Sequence, residues 1–223
     1  MKCEAVIDSL KLSLPKQVDN SIIIGLPNIE YFKDLDSLVK KINECLVLIS
    51  GNDKISKNEI KFQNFDTGTS WIEVVMVAGP AAMFLIGSAV DICSKMAYRI
   101  QEHKLTKQAI KKMEHDSEIQ RKIIEELGKG IQNDIQKGFT ESIKKSDDDI
   151  DYDLSPEYLE RAKKGLSMLS ELMEDGTTFE AAKESLEFVR DSFPTLEDQK
   201  RLSEPTYLSG QKKIESLSEE EGE

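Results

Sequence analysis

The chain has 223 residues, of which 39% are hydrophobic, 6% aromatic and 32% charged. That balance suits an elongated helical protein with much solvated surface better than a dense globule. The net charge of -12 sits in the C-terminal third, where residues 147–223 carry 22 acidic against 9 basic side chains, and this acidity, with no basic stripe to offset it, argues against nucleic-acid binding.

Three widely spaced cysteines (Cys3, Cys45, Cys93) form neither a disulfide framework nor a zinc pattern. They point to a reducing, cytoplasmic compartment. The first ten residues, MKCEAVIDSL, contain acids and no apolar core, so no secretory signal is expected.

Residues 4–14 alternate loosely (Ala5, Ile7, Leu10, Leu12, Leu14) up to Pro15 and suggest a strand or edge strand. SIIIGL, from Ser21, predicts a second strand closed by Gly25 and Pro27. Asp36 is expected to cap a helix. Leu38, Ile42, Cys45, Leu46 and Ile49 recur along it at core-facing spacing, and Ser50-Gly51-Asn52-Asp53 ends it. Ile60, Phe62 and Phe65 alternate like a strand. Residues 1–70 therefore read as a small α+β unit.

Residues 71–93 hold the strongest signal. SWIEVVMV (70–77) is β-branched and strand-like, with Glu73 as its one charge. Gly79-Pro80 is a natural break, since proline fits the first helical position, and a helix is predicted from Ala81 to Ala97. Taken as one continuous segment, residues 71–93 could instead span a bilayer, with Trp71 at one interface and Lys95 and Arg99 at the other. That alternative makes the protein a membrane-embedded effector or channel-like oligomer of the inner membrane.

From Met96 to Ser146 the apolar residues Leu105, Ala109, Met113, Ile119, Ile123, Leu127, Ile131, Ile135 and Phe139 recur mainly every fourth position. They predict one long charged helix, or two, with a bend near Gly128 and an apolar stripe suited to coiled-coil-like packing on a partner. An acidic linker covers 147–154. Ser155-Pro156-Glu157 marks a new helix start, with Leu159, Ala162, Leu166, Leu169 and Met173 facing inward. Asp175-Gly176 stops it. Thr177 and Glu180 look like a capping box for a second helix carrying Phe179, Ala182, Leu186 and Val189, so 155–204 reads as a helical hairpin. The tail, 205–223, is polar, acidic and expected to lack fixed structure.

Motifs that carry chemistry are few. Asp66-Thr67-Gly68-Thr69-Ser70 resembles the aspartic-protease signature, which with a single copy here implies a homodimeric enzyme using Asp66. The same residues also read as a turn that redirects a strand. Asp149, Asp151, Asp153 and Glu160 fall at calcium-loop spacing, but Leu154 stands where glycine is needed. An acidic linker entering a helix explains them equally. His103 and His115 form no metal pair and are expected to be solvated. Gly51 to Lys57 lacks P-loop spacing. Cys45 and Cys93 sit on apolar faces, where thiols are usually inert. No catalytic, metal or cofactor set emerges, and a cofactor-free non-enzyme is expected.

The passage from FDTGTSW into an apolar helix and then a long charged helix, about residues 60–145, resembles small uncharacterised bacterial proteins. The resemblance carries no catalytic motif and implies a prokaryotic or phage-type origin but no activity. The residues thus lead to a predominantly helical α+β protein that self-associates as a scaffold. Trp71, Phe84, Leu105, Met113, Ile123, Leu127, Ile131 and Phe139 are its candidate interaction residues. A homo-oligomer is expected, with another protein docking on the C-terminal hairpin or tail.

Overall fold

The computed structural model describes residues 20–29, 31–52, 54–55, 59–66, 71–77, 79–111, 118–145 and 151–203. The proposed strand at 4–14, Met113, His115, Asp149 and the tail beyond Ser203 lie outside them.

The β-branched runs form strands where they were expected. SIIIG is β1 (Ser21–Gly25), IKFQNFD is β2 (Ile60–Asp66) and WIEVVM is β3 (Trp71–Met76). With β4 (Thr178–Ala181) they make an antiparallel sheet ordered β2-β3-β1-β4. Successive side chains on a strand alternate between faces. One face accordingly gathers Ile22, Ile24, Ile72, Val74, Met76 and Phe179, all buried. Ile22 lies opposite Val74, and Ile24 stands between Ile72 and Phe179.

Helix α1 (Phe32–Ser50) begins a turn earlier than Asp36. Tyr31 occupies the cap position without a side-chain hydrogen bond, and Asp36 pairs with Lys40 inside the helix at 2.7 Å. Its inward row is as expected: Ile42, Cys45, Leu46 and Ile49 are buried and Leu38 is packed at the core margin.

At the next junction Gly79 adopts φ 75°, a left-handed conformation that a side chain would strain, and Pro80 opens α2 (Pro80–Lys95). Ten residues of α2 are buried, because it contacts β3, β4 and all six of the other described helices. A helix that is apolar all round needs such surroundings. Residues 71–93 are therefore a strand and a helix rather than one continuous segment. Among the described residues no single helix is long and apolar enough to cross a membrane; Pro80–Lys95 and Ala97–Ile110 reach the length together but are bent by 55°.

The charged stretch forms two helices, α3 (Ala97–Lys111) and α4 (Glu118–Lys144). α4 continues unbroken through Gly128. Helix α5 (Pro156–Glu174) starts as its signal required, with the Ser155 hydroxyl accepting from the Tyr158 amide. Gly176, at φ 96°, turns the chain after it.

The expected hairpin partner of α5 is not a helix. Residues 178–181 join the sheet as β4, followed by two short helices, α6 (Glu187–Asp191) and α7 (Leu196–Lys200). Phe179 is β-prone and meets Ile24 across the sheet, so strand pairing outweighs the capping pattern. Leu186, expected inside, is 53% exposed. One core cluster draws residues from β1, β3, β4, α1, α2, α5, α6, the start of α3 and the second half of α4, from Ile131 onward.

Candidate functional site

The candidate interaction residues separate into three environments. Phe139 is fully buried and Ile131 half-buried, because the C-terminal half of α4 lies against α2 and α5. Gly138 permits that approach, since a Cβ there would come within 3.2 Å of the Ile92 side chain. Phe139 is therefore a core residue and not a docking residue. Phe84 is half-buried, stacked on Tyr152 with ring centroids 6.0 Å apart and beside Phe188 at 6.1 Å. It too belongs to the fold. Trp71 is half-buried at the start of β3, directly across from Gly25 and Asp66.

The outer half of α4 is different. It lies beside α3, and Ile119, Ile123 and Leu127 are 70%, 54% and 50% exposed. They line an open groove of about 660 Å³ with Ile131 and with Arg99, Glu102 and Thr106 of α3. Leu105, though 40% exposed, does not line this groove; at 100° per residue it points away from α4. The stripe read as continuous from Leu105 to Phe139 is thus buried at one end and split between two helix faces at the other.

What holds the α3–α4 arm together was missed in the sequence. His103 donates from Nε2 to the Ile124 carbonyl at 2.9 Å, and a Cβ on Gly128 would lie 3.2 Å from its ring. The glycine read as a bend is a seat for a histidine. His103 is half-buried rather than solvated. Arg99 adds an ion pair to Asp134 at 2.6 Å across the same two helices. Beside the apolar row, Glu118–Lys122 and Glu126–Lys129 pair along α4 at 2.9 and 2.8 Å. Their i,i+4 and i,i+3 spacing was visible in the sequence, but only the exposure of the row beside them gives it meaning.

The remaining chemistry-bearing side chains have structural partners. Asp153 accepts from the Ser155 amide at 3.0 Å and from its hydroxyl at 2.7 Å, which holds its carboxyl below the usual carboxylate range. Asp151 pairs with Lys54. Among the described residues no group of three or more His, Cys, Asp or Glu side chains is placed to hold a metal ion. Cys45 donates to the Gly165 carbonyl at 3.3 Å, and Cys93 accepts from the Ser170 hydroxyl at 3.3 Å. Burial raises both thiols, Cys93 to about 12. Thiolates are the reactive form, so neither is poised as a nucleophile.

Glu73 is 1% exposed and accepts a hydrogen bond of 2.6 Å from Ser21 of the neighbouring strand. Asp66 ends β2 opposite Trp71, and the rest of the protease-like signature lies outside the described residues. A strand, then helices, follow it.

These features define a predominantly helical α+β protein with a four-stranded antiparallel sheet. Among known proteins it is similar to the uncharacterised protein YqaP of Bacillus subtilis (strain 168), with 30% identity over 204 residues, 88% of this chain and 62% of that relative. The chain thus spans less than two thirds of the length of YqaP. No protein-family model matches the chain, and no solved structure matches it.

Proposed function

We propose that this is a non-catalytic, self-associating interaction protein that serves in a bacterial or phage multiprotein assembly. The observation that carries the reading is the exposed row Ile119, Ile123 and Leu127 on the α3–α4 arm. Single exposed apolar residues are ordinary on any protein surface. Three in a row along one helix face, each half or more exposed, make a contiguous patch of the kind that marks an interaction site. The arm is held rigid by His103 and Arg99, so the row is displayed at low ordering cost.

The non-catalytic part of the proposal is supported by the structural partners of the histidine, thiols and carboxylates described above. The acidic C-terminal third offers a second, polar surface to another protein.

Sedimentation equilibrium on the purified chain at micromolar concentration tests the reading. We expect a mass above the monomer, and a return to the monomer in Ile123→Asn with an unchanged urea midpoint. A wild-type chain that sediments as a monomer throughout overturns it.

A further inference from the structure

We propose that the exposed row on α4 is closed by a second copy of this chain, with the two α4 helices antiparallel about a two-fold axis passing near Ile123. This rests on the self-association reading above and adds the direction and register of the contact. The argument comes from the order of charges beside the row.

Ile119, Ile123 and Leu127 follow one another every fourth residue, and Gly130 extends the row one turn further. A Cβ on Gly130 would meet nothing within 4 Å, which leaves room for a neighbouring helix. Along one flank run Glu118, Lys122, Glu126 and Lys129, an alternation of acid and base. At 100° per residue these four fall within about 80° of one another, all on the same side of the apolar row. The opposite flank faces α3, through the His103 contact to Ile124. Among the described residues the charged flank is the one left open.

Two helices packed antiparallel about a perpendicular two-fold bring each flank against the same flank of the partner. Centring the axis near Ile123 sets Ile119 against Leu127 and Ile123 against itself. With the axis at the height between Ile123 and Ile124, Glu118 stands opposite Lys129, and Lys122 opposite Glu126 to within about one residue's rise, within reach of these long side chains. Every acid meets a base, and the two-fold repeats each pair. A parallel arrangement would instead press the charged flank toward the side that α3 already covers. The four side chains are 65–82% exposed, so exchanging partners along the helix for partners across the interface requires little desolvation.

The row spans about 18 Å of helix, short for an interface that normally removes about 800 Å² from each partner. A dimer that dissociates in the micromolar range is expected.

Sedimentation equilibrium of three full-length proteins tests the register: wild type, Lys122→Glu, and Lys122→Glu with Glu126→Lys. All substituted positions are exposed, and urea midpoints check that each variant folds. The single variant sets two symmetry-related pairs of like charge and should weaken the dimer about tenfold. The double variant swaps the signs and should restore affinity to within about threefold. As a geometric check in a Cys3→Ser background, Ile119→Cys mixed with Leu127→Cys should cross-link to each other faster than either does to itself. A dimer indifferent to Lys122→Glu, unrescued by the swap, or cross-linking like with like overturns the antiparallel register while leaving self-association standing. A monomeric wild type overturns both.

Discussion

Gln199 and Phe179 hydrogen-bond as residues of neighbouring strands do, although one of them uses its side chain. The Phe179 amide donates to Gln199 Oε1 at 2.8 Å, and Gln199 Nε2 donates to the Phe179 carbonyl at 2.8 Å. The free edge of β4 is thereby capped by a primary amide from α7. Gln199 is 1% exposed, so no water replaces it. Gln199→Ala leaves a buried donor and a buried acceptor without partners, and each such orphan costs about 1–3 kcal/mol. We expect a loss of about 2–4 kcal/mol in urea unfolding, and a loss under about 0.5 kcal/mol would show that the clasp contributes little.

Gly165 and Gly130 both sit inside helices but should respond to alanine in opposite directions. A Cβ on Gly165 would lie 2.8 Å from Ile49 Cγ1 and 3.3 Å from the Cys45 carbonyl, where α5 crosses α1. Gly165→Ala should therefore destabilise by about 1–3 kcal/mol despite the better helix former. Gly130→Ala meets open space and should stabilise by about 0.5–1 kcal/mol. Both are read from urea midpoints at a concentration low enough to avoid association.

Phe139 and Ile123 separate core from surface on one helix. Phe139 is fully buried and Ile123 is 54% exposed. Phe139→Ala should cost about 3–5 kcal/mol, whereas Ile123→Ala should change monomer stability by no more than about 0.5 kcal/mol. Comparable losses at the two sites would mean that the arm is part of the cooperative core.

The thiols set a pH dependence. Burial raises Cys93 from its ordinary 9.0 to about 12 and raises Cys45 as well, so in both the folded value exceeds the unfolded one. A group shifted this way contributes stability that is complete below the unfolded value and is lost as pH rises toward and through the folded one. Unfolding free energy should thus decline from about pH 9 upward. Native Cys45 and Cys93 should resist a thiol reagent at pH 8 and react only at urea concentrations that open the fold. Rapid labelling of either without urea would contradict their burial.

Local chemistry alone was sufficient wherever an element carries its own instructions. SIIIG and WIEVVM are β-branched, Gly79-Pro80 supplies the left-handed turn and the first helical residue, and Ser155-Pro156 supplies cap and start; each works through neighbours a few residues away. The inward rows of α1 and α5 were legible for the same reason, since helical periodicity is a local property. The candidate interaction site was half legible. Periodicity picked out the row from Ile119 to Phe139, but it cannot say where along a helix the rest of the protein stops. The tertiary structure decided that by placing α2 and α5 against the second half of α4, so Phe139 sank into the core and Ile123 stayed outside. It also turned Phe179 from a helix position into a strand, because Ile24 and Gln199 offer both of its edges partners. Likewise, it engaged Asn52 with both the amide and the carbonyl of Asp153, each at 2.7 Å and 101 residues away in sequence. Contacts of that range are chosen by which surfaces meet, and no spacing within a single segment encodes them.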